Sequence, residues 1–209
     1  MMSANSDSGL THVLTVVQQP MRARATGTGE RERRAIDPCP IVELRVLGPD
    51  GTEIERTHWE HKYVMITALF DEAGTVECTA PRVAGPSDVL YEDQMIGGQA
   101  SSEYHVHDLE GRYGYFFCFP DIRVRHPGRY RLRFSLLRLP PVELEMSQPT
   151  FILDHVFTEP FRVYSFKDFP GVDESTLLTK TFANQGVAIP IRNKGRLKHE
   201  DGGSDDGHN

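Results

Sequence analysis

The alternation of apolar and polar residues within residues 116–139 constrains the fold more strongly than any other feature of the chain. Over residues 129–136, arginines and a serine alternate with the apolar set Tyr130, Leu132, Phe134 and Leu136. Such period-two alternation predicts a β-strand with one buried and one wet face. The His-Pro-Gly sequence at residues 126–128 predicts a tight turn, so we expect a hairpin with a preceding strand through Ile122 and Val124. A hairpin is marginally stable alone, and the rest of the chain must cover its apolar face.

Short strand-like segments and turn signals fill most of the remaining chain. We predict strands over residues 12–18, 41–47, 63–70, 75–79, 103–109, 115–119, 151–157, 161–166 and 187–192. One helix is predicted to begin near Asp173 and to end at Gly186, with an apolar stripe of Leu177, Leu178 and Phe182. This series of short strands with one late helix predicts an all-β sandwich and disfavours a nucleotide-binding α/β fold.

Length and composition predict one folded domain with polar ends. A chain of 209 residues is long enough to bury about 70% of its unfolded surface. We expect a disordered N-terminus over residues 1–10, a folded domain over residues 11–193 and a disordered acidic tail over residues 194–209. Within the domain, residues 20–40 predict an extended basic arm and residues 80–101 a long loop.

Charge and cysteine content exclude several classes of protein. A net charge of −7 excludes a bulk polycation, so nucleic-acid binding would require a local basic patch. Three cysteines without a CxxC spacing argue against a disulfide or zinc framework and favour a reducing compartment. The sequence has neither an apolar run of about 20 residues nor a basic and apolar leader, so we expect an intracellular protein without a membrane segment.

The basic arm is the main candidate for a functional site. Within residues 22–34 only Glu30 and Glu32 offset five arginines: Arg22, Arg24, Arg31, Arg33 and Arg34. Arginine makes bidentate contacts with phosphates and with guanine edges, so the arm is a candidate DNA contact. The alternatives are a solvated arm and an arm that docks on an acidic partner surface. The last three arginines could also serve as a nuclear localisation signal.

Two further sets of basic residues can also be interpreted either as phosphate-binding or as solvated surface residues. The hairpin could present a phosphate track of Arg123, Arg125, Arg129, Arg131 and Arg133. For this set we favour a wet face paired with cross-strand carboxylates such as Glu143 and Glu145. The third set lies around the helix and the tail: Lys167, Lys180, Arg192, Lys194, Arg196 and Lys198. Its last four members could supplement DNA binding or nuclear import, but we favour a solubilising terminus.

Metal-binding and catalytic interpretations find little support. The pairs His105/His107 and His58/His61 lack a nearby cysteine or a third histidine that would complete a metal site. Cys118 lies in an apolar strand and is expected to be an inert core thiol. The chain contains no nucleophile-elbow or P-loop motif. We therefore predict that the protein is no enzyme and uses no metal, no cofactor and no small-molecule substrate.

Three long blocks carry a resemblance to a known family: VVQQPMRARATGTGERERRAIDPCPIVEL (16–44), FFCFPDIRVRHPGRYRLRF (116–134) and FRVYSFKDFPGVDESTLLTKTFANQGVAIPIR (161–192). Together they resemble the fungal velvet domain over residues 14–192. Cys39 stands where the family pattern suggests proline, and Phe166 where it suggests alanine, but neither change upsets the fold. The lack of a large insertion favours the small, spore-associated subgroup.

The resemblance implies an immunoglobulin-like β-sandwich similar to the Rel homology DNA-binding domain. It also implies a nuclear protein, able to shuttle through the cytoplasm, that regulates fungal development, sporulation and secondary metabolism. Such a protein would bind double-stranded DNA as a homodimer or as a heterodimer with another velvet protein. The predicted DNA-binding residues are Arg22, Arg24, Arg31, Arg33, Arg34 and Lys167. The alternative function is an interaction subunit that pairs with and co-imports another velvet regulator without reading DNA.

Overall fold

The computed structural model describes residues 9–26, 34–54, 62–80, 93–139 and 152–193 of the chain. Almost all regular structure in these ranges is β-strand, and one short helix follows the last strand. The elements in chain order are β1 (Thr11–Gln18), β2 (Arg22–Arg24), β3 (Ile41–Leu47), β4 (Lys62–Asp71), β5 (Met95–Ile96), β6 (Ala100–Ser102), β7 (Tyr104–His107), β8 (Tyr113–Cys118), β9 (Arg123–Val124), β10 (Gly128–Leu139), β11 (Ile152–Phe157), β12 (Phe161–Tyr164) and α1 (Leu177–Asn184).

Two main sheets and one short ribbon organise these strands. The four-stranded sheet has the order β1-β3-β8-β7. The six-stranded sheet has the order β2-β12-β10-β4-β6, and β11 also pairs with β10. Strands β5 and β9 form a separate two-stranded ribbon. No helix within the described ranges has the length and apolarity needed to cross a membrane.

The core lies between the inner faces of the two sheets. Leu132, Phe134 and Leu136 of β10 are fully buried, as the period-two pattern predicts. Phe134 packs against Phe119 of the segment after β8, with ring centroids 4.7 Å apart. Val42, Leu44 and Val46 of β3 join the same cluster. The predicted all-β sandwich with one late helix is therefore confirmed.

A second apolar cluster covers the other face of the four-stranded sheet. Phe182 of α1 is fully buried and its ring lies 4.7 Å from that of Phe116 on β8. Thr176 caps the helix, because its side chain accepts a hydrogen bond from the backbone N–H of Thr179 at 3.1 Å. The remaining members of the cluster are Cys39, Ile41, Val106, Cys118, Val187 and Ile189. Because α1 covers one face and the core the other, the run from Phe116 to Phe119 is buried without alternation.

The predicted hairpin around residues 126–128 is wrong. Strand β9 pairs with β5 rather than with β10. Strand β10 instead pairs with β4 from Tyr130↔Asp71 to Leu139↔Lys62, which is a far longer ladder than the two residues of β9 could supply. The tight turn therefore carries the chain from the ribbon into the middle of the six-stranded sheet.

Other strand predictions hold in part. Residues 187–192 form no strand, and residues 75–79 contribute only an isolated bridge between Glu77 and Phe70. Strands β2, β5 and β6 were not predicted, because each has only two or three residues and no alternation to mark it. The predicted termini and most of the predicted loop at residues 80–101 lie outside the described residues.

Candidate nucleic-acid interface

Both ends of the basic arm are fixed to the backbone around β9. The N–H of Thr26 donates to the carbonyl of Val124 at 3.0 Å, and the N–H of Ile36 donates to the carbonyl of Ile122 at 2.8 Å. The arm therefore starts from and returns to neighbouring points on the sandwich. Arg31 and Arg33, two of the predicted DNA contacts, lie between these points and outside the described residues.

Asp37 joins the returning arm to the C-terminal segment. Its side chain is buried, with 3% of the residue exposed, and its carboxylate accepts hydrogen bonds from the Arg192 guanidinium and from the backbone N–H of Asp173. Its backbone N–H and carbonyl both pair with the backbone of Arg22. Through its carboxylate and its backbone, Asp37 thus ties β2 and the C-terminal segment to the base of the arm.

The structure gives Arg22 and Arg24 different surroundings on β2, an edge strand of the six-stranded sheet. The Arg22 guanidinium lies 2.5 Å from a carboxylate oxygen of Asp173. Arg24 is buried, and its guanidinium carbon lies 4.9 Å from the centre of the Phe166 ring. The cation–π contact also places Arg24 beside the exposed Lys167 segment. The phenylalanine that departs from the expected alanine therefore covers an arginine of the arm.

A cleft of about 300 Å³ opens between the arm base and the segment around α1. Three arginines line it, together with apolar side chains such as Ile36, Val172 and Ile189: Arg34, Arg123 and Arg192. Arg123 is paired with Asp121 and Arg192 with Asp37, whereas Arg34 is exposed. The cleft brings Arg34, one of the six predicted DNA-binding residues, next to Arg123 and Arg192, which belong to the other two basic sets.

The arginines of residues 123–133 are partly neutralised by carboxylates, as predicted, but these are not the carboxylates that the sequence analysis named. Arg129 lies 2.7 Å from Glu72, and Arg131 lies 4.0 Å from Glu159. The Arg133 guanidinium stacks 4.6 Å from the centre of the Phe70 ring. The predicted partners Glu143 and Glu145 lie outside the described residues, as do Lys194, Arg196 and Lys198 of the tail set. Lys180 of that set pairs with Glu174.

Arg162 of β12 is a basic residue that the sequence did not single out. In the sheet register it lies opposite Arg22 on one side and Arg129 on the other. Its guanidinium carbon lies 4.6 Å from the centre of the Tyr164 ring. Sequence gives no signal for this juxtaposition, because the three arginines are far apart in the chain and meet only through the strand register.

The candidate metal ligand His105 lies among aromatic rings, and the thiols of Cys39 and Cys118 are buried. His105 packs against the rings of Tyr113 and Tyr115, and no group of three potential ligands for a metal ion occurs in the described part of the chain. His58 and His61 lie outside that part. Burial raises the pKa of the Cys118 thiol and raises that of Cys39 to about 12, so both side chains stay protonated at neutral pH.

The chain is an all-β sandwich with one late helix and with a basic arm whose two ends are anchored on the folded domain. The family model described as velvet factor matches residues 12–88 and 79–195. The chain therefore belongs to the velvet family, and the resemblance carried by the three sequence blocks is confirmed.

Curated relatives match over most of the chain. It is 36% identical to the spore development regulator vosA of Beauveria bassiana, over 94% of this chain and 72% of that protein. It is 36% identical to the sexual development regulator umv3 of Mycosarcoma maydis, over 94% of this chain and 48% of that protein. It is 38% identical to the developmental and secondary metabolism regulator VEL1 of Cochliobolus heterostrophus, over 90% of this chain and 33% of that protein. The chain thus spans less than half the length of the latter two.

Proposed function

We propose that this protein is a non-enzymatic regulator of fungal development, sporulation and secondary metabolism that binds double-stranded DNA in the nucleus. Membership of the velvet family supports this proposal, as do the names of relatives that regulate spore, sexual and general development. It acts as a homodimer or as a heterodimer with another velvet protein, and it shuttles through the cytoplasm.

The anchoring of the arm is the observation that carries the DNA-binding proposal. Backbone hydrogen bonds from Thr26 and Ile36 to the β9 region hold both arm ends on the sandwich. The intervening segment contains Arg31 and Arg33, and Arg34 follows it on the exposed side. Fixed ends limit the conformational entropy that such a segment loses when it binds a ligand.

The proposed mechanism assigns different tasks to the six predicted residues. Arg31, Arg33 and Arg34 contact backbone phosphates and one or two guanine edges, because guanidinium matches both geometries. Lys167 is exposed and adds a phosphate contact as a point charge. Arg22 and Arg24 hold the base of the arm through Asp173 and Phe166.

A salt-titrated binding assay tests the proposal. The purified chain and its Arg31/Arg33/Arg34→Ala variant are titrated onto fungal promoter fragments and scrambled duplexes. We expect the variant to lose selective binding and to lower the slope of log K against log salt by up to about 2.7, since each phosphate contact contributes about 0.9.

A control variant with the same loss of charge completes the design. Lys62, Arg45 and Arg112 are exposed and lie away from the arm, on or beside β4, β3 and β8. The Lys62/Arg45/Arg112→Ala variant should keep the selectivity and most of the salt slope. Equal losses in the two variants, or an unchanged slope in the arm variant, would show that the arm is not the DNA contact.

A second candidate function is an interaction subunit that pairs with and co-imports another velvet regulator. Two observations favour it: the net charge of −7, and the carboxylates that already neutralise Arg22, Arg123 and Arg192. The discriminating experiment measures DNA binding by the chain alone and with a second velvet protein. Selective binding only in the mixture, with no change when the three arm arginines are replaced, would establish the interaction role.

A further inference from the structure

Three arginines from three neighbouring strands form one row across the outer face of the six-stranded sheet, here called the arginine row: Arg22, Arg162 and Arg129. Arg162 is the register partner of Arg22 on β2 and of Arg129 on β10. The alternating positions Ala23 and Val163 are buried in the core, so the arginines lie on the opposite face. With strands about 4.8 Å apart, the row spans about 10 Å.

The electrostatics of the row favour an anion at its centre. Like charges directly opposite each other on a sheet are destabilising. At the two ends of the row, Arg22 is neutralised by Asp173 at 2.5 Å and Arg129 by Glu72 at 2.7 Å. Arg162 has no carboxylate within ion-pair distance among the described residues, and its guanidinium instead stacks on Tyr164. The middle cation of the row is therefore exposed, held in orientation by a ring, and flanked by two others.

An open groove of about 390 Å³ adjoins the centre of the row. Arg129, Arg162 and Tyr164 line it, together with Ser165 and Asp168. The Asp168 carboxylate accepts a hydrogen bond from the Ser165 hydroxyl at 2.6 Å, so one of its oxygens already has a partner within the same turn. A groove with two guanidiniums and a stacked aromatic ring suits a phosphate group.

We propose that the arginine row binds the phosphate backbone of DNA and extends the contact made by the arm; this proposal rests on the DNA-binding function proposed above. Arg22 belongs both to the row and to the described start of the arm, so β2 joins the two. Duplex DNA carries one charge per about 1.7 Å of its axis, so a row about 10 Å long faces several phosphates. A single phosphorylated side chain in the groove would contact Arg162 and Arg129 and leave Arg22, at the far end of the row, without a phosphate. The row sets the orientation of the duplex and does not read its sequence.

Two variants with opposite charge changes test this proposal. Arg162→Gln removes the central cation, and we expect it to lower the salt slope by about 0.9 and to weaken binding equally on promoter and scrambled duplexes. Asp168→Asn removes the carboxylate of the same groove, and we expect it to tighten binding to both duplexes. Arg45→Gln is the matched control, because Arg45 is an exposed strand arginine paired with Glu53 on the other sheet.

The outcomes separate this proposal from the function on which it rests. Selective DNA binding by the wild type, with affinity and salt slope unchanged in Arg162→Gln, overturns the arginine row and leaves the arm proposal intact. Absence of DNA binding by the wild type, alone and with a second velvet protein, overturns both. Unchanged DNA binding together with weakened binding of a mixture of phosphoserine peptides would assign the row to a phosphorylated protein and contradict its assignment to DNA.

Discussion

At the scale of single residues, Asp37 has the greatest effect on the geometry of the candidate site. Replacing it by alanine removes the carboxylate that accepts from Arg192 and from the backbone of Asp173. Because hydrogen bonds to charged groups contribute about 1.5–3 kcal/mol, we expect Asp37→Ala to lower the free energy of unfolding by that amount. Urea denaturation followed by intrinsic fluorescence measures the change.

The matched control for this prediction is the exposed pair of Arg45 and Glu53. Their side chains are 47% and 49% exposed, so solvent screens the interaction. Glu53→Ala should cost less than about 1 kcal/mol. A similar loss of stability in the two variants would contradict the structural role assigned to Asp37.

Gly97 fixes the turn beside the β5–β9 ribbon. Its φ is +103°, and a Cβ added there would lie 1.7 Å from the backbone carbonyl oxygen of Asp121. We expect Gly97→Ala to lower the unfolding free energy by at least about 2 kcal/mol, because backbone strain and a clash with main-chain atoms act together. Thermal denaturation gives the measurement.

Gly111 provides the comparison for Gly97. Its φ of +76° is also left-handed, but a Cβ there meets no atom within 4 Å. Gly111→Ala should therefore carry only the conformational cost of about 1–2 kcal/mol. If the two substitutions cost the same, the contact between Gly97 and Asp121 does not determine the turn.

At the scale of elements, helix α1 is attached to the four-stranded sheet mainly through Phe182. The residue is fully buried against Phe116, whereas Leu177 on the same helix is 72% exposed. Phe182→Ala should cost about 3–5 kcal/mol through lost burial and the cavity that it leaves. Leu177→Ala should stay within about 0.5 kcal/mol. Equal effects in urea denaturation would mean that α1 does not dock as described.

The elements also show which parts of the fold local sequence can specify. The alternation in β10, and that of Val42, Leu44 and Val46 with Glu43 and Arg45 in β3, marks those strands, because side-chain periodicity is a local property. Strand pairing is not local, and the turn at residues 126–128 was therefore interpreted as a hairpin although β10 pairs with β4. The candidate site likewise contains some residues that local sequence can identify and others that it cannot. The arm arginines are clustered in sequence, whereas Arg162 joins Arg22 and Arg129 only through the register.

At the scale of the whole molecule, a net charge of −7 is compatible with a local cationic surface. Around the four-stranded sheet, Arg45 and Arg112 are each paired with carboxylates. The outer face of the six-stranded sheet carries the arginine row, whose central Arg162 is exposed. Under the proposed function, the exposed Arg162 at the centre of the row would attract the phosphates of an approaching duplex to this face, although the chain as a whole is acidic.

The dependence of global stability on pH provides a last prediction, centred on His12. Its ring is half-buried on β1, with Nε2 3.1 Å from the Tyr63 hydroxyl, and burial lowers its pKa below 6.5 although Asp154 acts in the opposite direction. As the pH falls through 6.5, the unfolded chain takes up a proton that the folded chain excludes. The stability that neutral His12 contributes is therefore present above pH 6.5 and is lost as the pH falls toward its folded pKa.

The test compares the unfolding free energies of the wild type and His12→Gln at pH 7.5 and pH 5.5. The advantage of the wild type should shrink at the lower pH. Glu43 supplies a control of opposite sign, because burial raises its pKa above 4.5 and its contribution is lost as the pH rises. The wild type should therefore lose stability relative to Glu43→Gln as the pH rises from below 4.5 through the folded pKa of Glu43, so this control is measured from about pH 4 upward. A difference between wild type and His12→Gln that does not change with pH would show that burial of His12 does not couple protonation to folding.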